Sequence, residues 1–314
     1  MHGTANDGTF RGVFAIPPTP FDDLGQLDER SLRRAVEFCV LAGAHGLVAP
    51  VNASEAIILT DTERLRVAEI LVEQTAGRIP VIIGVSGVST AASVLYTRHA
   101  VLIGASAVMA MPPYVRHPPA SEIFEFYHEV ATVAAGLPVW IQNNTGPIGT
   151  PMNADLLARM LVEIPGVGFL KEESEYAPQV ISRVRDLAGD HLQGVMGGMG
   201  GRFLLEEYRR GACGTMPASE VADAHVLLWN ALERGDEDEA RRIHTILLPM
   251  LNYESLYTYA IYKEILVRRG VIASARSRVP GAAHLDAENQ REIDALLRDL
   301  APLLTLGLRP NIDV

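Results

Sequence analysis

The chain has 314 residues, is 48 % hydrophobic and 6 % aromatic, and carries a formal net charge of −11. That charge excludes a nucleic-acid or anionic-membrane partner, because no basic surplus exists to displace phosphate counterions. The length suffices for a full core, and a (β/α)8 barrel can use about 250 residues as one domain.

Residues 1–10 are polar and lack the apolar stretch of a signal peptide, so they read as an N-terminal tail. No run of about eighteen apolar residues occurs, and no membrane span is expected. The two cysteines, Cys39 and Cys213, fit no zinc spacing and no disulfide framework, which points to the reducing cytoplasm.

Short apolar runs then alternate with amphipathic stretches. Residues 12–16 form the first expected strand, ended by Pro17-Pro18-Thr19-Pro20; Asp28 caps a helix over 29–42. The next strand–helix pairs fall at 46–50 and 61–75 (capped by Asp61), 80–85 and 90–103, and 107–111 and 120–135. The last four fall at 138–142 and 153–163, 166–171 and 176–187, 192–196 and 202–210, and 212–216 and 222–234. Apolar strands separated by helices indicate a parallel sheet, and eight such units in about 230 residues favour a closed barrel. An open doubly wound sheet would want a Gly-rich turn after the first strand, where this chain is Pro-rich. Residues 236–304 read as helical throughout, in three segments. The expected organisation is therefore a tail over 1–10, a (β/α)8 TIM barrel over 11–235 and a C-terminal helical extension over 236–314.

Lysine is nearly absent: of 27 Lys plus Arg, only Lys171 and Lys263 are lysines. Lys263 falls in a helical stretch where a solvated role is ordinary. Lys171 ends the apolar run Val167-Gly168-Phe169-Leu170, at the strand end where a barrel carries its active site. Burial there disfavours the charged amine and frees a nucleophile. The following Glu172-Glu173-Ser174-Glu175 reads as a polar helix start, with one carboxylate placed to tune the lysine and the rest solvated.

Three further loops lie at strand ends. Val51-Asn52-Ala53-Ser54-Glu55 can hold a carboxylate through successive N–H groups, an amide and a hydroxyl, or can simply cap a helix. Met111-Pro112-Pro113-Tyr114 offers a phenol that can donate a proton or sit as a structural Tyr. Residues 194–201, with Gly197 and Gly198, form a glycine-rich loop that shapes the site mouth through close backbone approach. It is not a P-loop, for no Gly-Lys-Ser/Thr follows. The nine histidines show no metal spacing, so neither a metal nor a cofactor is expected.

Over residues 10–305 these pieces resemble the dihydrodipicolinate synthase / N-acetylneuraminate lyase family of class I aldolases. The resemblance rests on Pro18-Thr19-Pro20-Phe21, the loop ending in Glu55, the Pro-Pro-Tyr segment and Gly168-Phe169-Leu170-Lys171-Glu172. It implies a TIM barrel with a helical extension, an imine on Lys171, and a homotetramer built as a dimer of dimers, or a homodimer. Departures bear on the substrate. The family's Tyr at the end of the fifth strand, which relays protons, is replaced in the run Gln142-Asn143-Asn144-Thr145. The synthase's Arg that binds the aldehyde partner gives way to Gly146-Pro147, and the second Tyr of its Pro-Tyr-Tyr is Val115. The motifs Asn52-Ala53-Ser54-Glu55, Ala110-Met111-Pro112-Pro113-Tyr114 and Gln142 resemble instead the branch of 2-keto-3-deoxy-L-arabonate dehydratases.

The expectation is a Schiff-base lyase acting on a small 2-oxo acid, dehydrating a 2-keto-3-deoxy sugar acid. Lys171, Tyr114 and Gln142 are the catalytic candidates; Asn52, Ala53, Ser54, Asn143, Gly197 and Gly198 are the substrate-binding ones. A Gln amide cannot shuttle protons as a phenol does, which favours dehydration over retro-aldol cleavage. The alternatives are a pyruvate-dependent aldolase, dihydrodipicolinate synthase itself, and a 2-oxo-acid-binding sensor without turnover.

Overall fold

The computed structural model describes residues 9–146, 148–309 and 312. Most of the expected tail and Pro147 therefore lie outside the described residues. Eight parallel strands close in sequential order into a barrel: β1 (Gly12–Ala15), β2 (Gly46–Ala49), β3 (Val81–Gly84), β4 (Ala107–Ala110), β5 (Val139–Asn144), β6 (Val167–Glu173), β7 (Gly194–Gly197) and β8 (Gly214–Thr215). Between them run α1 (Glu29–Leu41), α2 (Asp61–Thr75), α3 (Thr90–Leu102), α4 (Ala120–Val133), α5 (Ala154–Glu163), α6 (Ala177–Ala188) and α7 (Leu204–Arg209), with α8 (Ala222–Glu233) after β8.

Local chemistry sets the helix starts. Asp28 accepts from the Ser31 amide, Ser89 from Ala92 and Asn153 from Leu156, each satisfying an orphan first-turn donor. At α2 the cap is Thr60 rather than the expected Asp61: Thr60 and Glu63 form a reciprocal capping box.

Alternation along each strand sends one side chain into the barrel and the next against the helices. Ile141 and Leu170 join the layer under the helices, while Trp140, Phe169, Met109, Ile82, Val48 and Met196 fill the interior. Trp140 stacks on Phe169 with ring centroids 4.7 Å apart, and Phe10 packs edge-on against both. Phe10, counted with the tail in the sequence reading, thus plugs the barrel's amino-terminal end. Above this packed plug the same inward parity presents Gln142 and Asn144 on β5, and Lys171 and Glu173 on β6, at the carboxyl-terminal mouth.

The C-terminal part differs from its expectation in one respect. It holds α9 (Glu237–Tyr257), α10 (Tyr259–Arg268) and α11 (Ala287–Leu300), but residues 269–286 are not helical. That segment returns across the barrel mouth, where Arg278 reaches the Glu63 carboxylate at 2.7 Å and the Ile58 carbonyl at 2.8 Å. The extension shares one apolar core with α8 and with Val13 of β1. At the end of α10, the fully buried Arg269 and Asp223 form two parallel hydrogen bonds of 3.0 and 2.8 Å. Among the described residues no helix is long and apolar enough to cross a membrane.

Candidate active site

Two strands longer than expected build the centre of the site. The apolar runs suggest that β5 ends at residue 142 and β6 at 171, yet both strands continue by two residues, because their mouths are paired in register: Gln142 with Lys171, and Asn144 with Glu173. Residues two apart on a strand share a face, so Glu173 stands directly beyond Lys171. Its Oε1 lies 3.0 Å from Lys171 Nζ, and its Oε2 accepts a 2.7 Å hydrogen bond from Gln142 Nε2. Lys171 is 3 % exposed. The charged pair is therefore nearly removed from water, with the carboxylate fixed by a donor on each oxygen.

Lys171 and Glu173 open onto a cavity of about 250 Å³. Asn52, Ala53 and Asn144 line it, as do Ile16, Met216 and Ala218 from the β1 and β8 ends. Met199, Gly200 and Arg202 of the loop after β7 form a further side, and the rest of the wall comes from the extension: Leu251, Glu254, Ser255, Thr258, Tyr259 and Tyr262. The wall is shaped by Thr258, whose φ of 43° separates α9 from α10. A β-branched residue holding that backbone angle is a constraint of the kind that gathers at functional sites.

The Asn52–Ser54 segment is a single 3-10 turn, closed by Glu55 in the left-handed region. Asn52 and Ala53 face the cavity; Ser54 is buried behind it, its carbonyl accepting from Thr19 Oγ1 at 2.6 Å. The turn is anchored from the extension. Glu55 is fully buried, pairs through Oε1 with Lys263, and accepts from Ser277 Oγ at 2.7 Å. Lys263, expected to be solvated, is itself 0 % exposed and also donates to the Arg276 carbonyl at 2.7 Å. A buried cation persists only with such partners; the sequence gives Lys263 no visible partner because Glu55 lies far away along the chain.

The other expected site residues are arranged differently. Asn143 faces the opposite side of β5 from Gln142. Its amide binds Glu172 Oε2 at 2.9 Å and the Met152 backbone at 3.1 and 2.9 Å, tying β5 to the loop that follows. Gly197 and Gly198 give up their side-chain space to carboxylates. A Cβ on Gly197 would lie 1.9 Å from a Glu207 oxygen, and one on Gly198 would lie 2.2 Å from Glu173 Oε1. Tyr114 is half-buried outside the cavity, near Arg64 and Tyr96. Gln142 touches the cavity only through Glu173.

The run after Lys171 continues as strand through Glu173 rather than starting a helix; Glu172 is buried and Glu173 half-buried, while Glu175, in the turn beyond, is exposed as expected. Burial pushes the Glu172 carboxyl up to about 7, opposed by hydrogen bonds from Ser174 and Asn143. Burial, with Glu173 and Glu172 nearby, pushes Glu207 up to about 8. Glu173 is the principal site residue that the sequence reading left unassigned. Its i, i+2 spacing from Lys171 is the signal that would have found it, once the strand is carried through the polar residues.

A closed eight-stranded barrel with a buried lysine–carboxylate pair at its carboxyl-terminal mouth is the architecture of a barrel lyase. Comparison with known proteins gives the family. Residues 9–300 match the model of the dihydrodipicolinate synthetase family, and the chain belongs to that family of class I lyases. It is 36 % identical to L-2-keto-3-deoxyarabonate dehydratase of Azospirillum brasilense over 298 residues, which cover 94 % of this chain and 96 % of that protein. It is 31 % identical to the 4-hydroxy-tetrahydrodipicolinate synthase of Methanothrix thermoacetophila, covering 94 % and 98 %. Among solved structures, dihydrodipicolinate synthase from Rhodopseudomonas palustris superposes with a TM-score of 0.85 at 28 % identity, covering 93 % of this chain and 98 % of that one.

Proposed function

We propose that the protein dehydrates a 2-keto-3-deoxy sugar acid through an imine on Lys171. The observation that carries this reading is the pairing of Lys171 with Glu173, a base 3.0 Å from the amine, beside a cavity sized for a small acid. The relative from Azospirillum brasilense, named as a 2-keto-3-deoxyarabonate dehydratase, supports the same chemistry.

Lys171 Nζ attacks C2 of the 2-oxo acid and passes its proton to Glu173. Glu173 returns that proton to the C2 oxygen, which leaves as water, so that a protonated imine and a free Glu173 carboxylate remain. Asn52 and the amides of its turn hold the C1 carboxylate. The imine draws electrons from the C3–H bond, and the Glu173 carboxylate takes that proton. The enamine returns its electron pair and expels the C4 hydroxyl, which leaves as water with the proton held by Glu173. Hydrolysis of the product imine releases an unsaturated 2-oxo acid and regenerates the amine. Gln142 takes no proton; it orients Glu173 through the 2.7 Å hydrogen bond.

Product analysis by NMR tests the reaction type. A 2-keto-3-deoxy pentonate is expected to lose one water per turnover with its carbon chain intact. Pyruvate plus an aldehyde as main products would instead establish retro-aldol cleavage. The same reading places the enzyme in the cytoplasm as a homodimer or a dimer-of-dimers homotetramer.

A further inference from the structure

The cavity wall supplied by the extension contains a pair of acids that the chemistry at Lys171 does not use. Glu254 on α9 is 3 % exposed and lines the cavity, yet its Oε1 has no hydrogen-bond donor. Glu220, in the turn after β8, is 0 % exposed, and neither of its oxygens meets a donor from another kind of group. Of the acids in the first turn of α9, Glu237 and Asp238 are by contrast exposed to solvent and Glu239 is half-buried.

Two carboxylates cannot both stay ionised in contact inside a protein. Burial together with the neighbouring Glu220 charge raises Glu254 well above the usual carboxylate range, and burial raises Glu220 as well. The pair therefore favours one negative charge over two. Arg202 faces Glu254 across the cavity rim and Arg269 faces Glu220, but Arg269 is spent on Asp223. A buried carboxyl oxygen without a donor is costly unless a ligand supplies one. The neighbouring cavity residues Ser255, Thr258, Tyr259 and Tyr262 are all hydroxyl-bearing, and burial beside both acids keeps Tyr262 a neutral phenol.

We propose that Glu254, backed by Glu220, determines substrate specificity by accepting a hydroxyl from the end of the substrate remote from the keto group. The same charge disfavours a second carboxylate or a phosphate there. The inference rests on the imine reading and adds the residue that meets the neutral polyol tail of the sugar acid.

Borohydride trapping on Lys171 reads both parts. Half-saturating concentrations would be measured for pyruvate, which has no tail, for a 2-keto-3-deoxy pentonate, and for 2-oxoglutarate, which ends in a carboxylate. In the double variant Glu220→Gln with Glu254→Gln, which keeps size and hydrogen bonding but removes the charge of the pair, selectivity is expected to shift at least tenfold toward 2-oxoglutarate relative to the pentonate. In Glu254→Leu the pentonate is expected to weaken at least tenfold relative to pyruvate. Each figure is a ratio within one preparation, which a general loss of folded protein does not move. Ratios within twofold of the parent protein in both variants overturn this inference alone. Absence of adducts in the parent protein overturns the imine reading and this inference with it.

Discussion

Glu173 Oε1 lies 3.0 Å from Lys171 Nζ while Glu173 Oε2 is held at 2.7 Å by Gln142. Gln142, which stands at the end of β5 where the sequence reading noted the family's Tyr to be replaced, thus becomes a bracket for a carboxylate two residues beyond the lysine. On the proposed mechanism, proton transfer belongs to the β6 side chain rather than the β5 one, within the same inward-facing layer.

If Glu173 moves the protons, Glu173→Gln should retain the fold and lower kcat about 10²- to 10⁴-fold with a smaller change in KM. Steady-state kinetics on a 2-keto-3-deoxy acid measures this. Gly198→Ala should act in the same direction, since its Cβ would lie 2.2 Å from Glu173 Oε1 and force that carboxylate away. Full activity in both variants would remove Glu173 from the mechanism.

The buried pair of Lys263 and Glu55 joins α10 to the Asn52–Ser54 turn. Lys263→Met leaves Glu55 buried without its cation, a loss of about 3–5 kcal/mol for such pairs. The thermal midpoint should fall by several degrees, and KM for the 2-oxo acid should rise as the turn loosens. A change under about 1 kcal/mol would mean that Ser277 and Arg278 hold Glu55 without help.

Glu172 and Glu207 give the fold a pH dependence. Their carboxyls sit at about 7 and about 8 in the folded chain, against an ordinary 4.5. Above pH 4.5 the unfolded chain loses these protons while the native chain keeps them. Their contribution is therefore complete at low pH and is lost as pH rises through 7 and 8. The half-buried His45 and the buried His225 and His244, lowered chiefly by desolvation, act with the opposite sign below their ordinary 6.5. Comparison with Glu207→Gln isolates the carboxyl. The variant's midpoint relative to the parent should rise between pH 5 and pH 8, by the equivalent of a few kcal/mol. An offset that stays constant across that range would show that Glu207 is ionised throughout.

The barrel was legible because apolar strands and capped helices repeat on a regular period, and all eight strands lie where alternation places them. Lys171 was legible because it ends an apolar strand in a chain almost without lysine. The polar ends of β5 and β6 were not: hydrophobic pattern marks a strand only where it meets core, and Asn144 and Glu173 are paired in register above that core. Asn143 was grouped with the substrate because it follows Gln142, although one step along a strand reverses the face. The pairs Lys263 with Glu55 and Glu220 with Glu254 join distant segments, and local sequence carries no sign of them. Gly197 and Gly198 were correctly read as positions of close approach, but the groups that approach are the enzyme's own carboxylates.

The most direct measurement is borohydride reduction in the presence of pyruvate or a 2-keto-3-deoxy pentonate, followed by peptide mass spectrometry. The account predicts a stable adduct on the peptide containing Lys171, absent in Lys171→Arg, and none on Lys263, which is fully buried against Glu55. No adduct with either compound, or an adduct confined to Lys263, would contradict imine catalysis at Lys171.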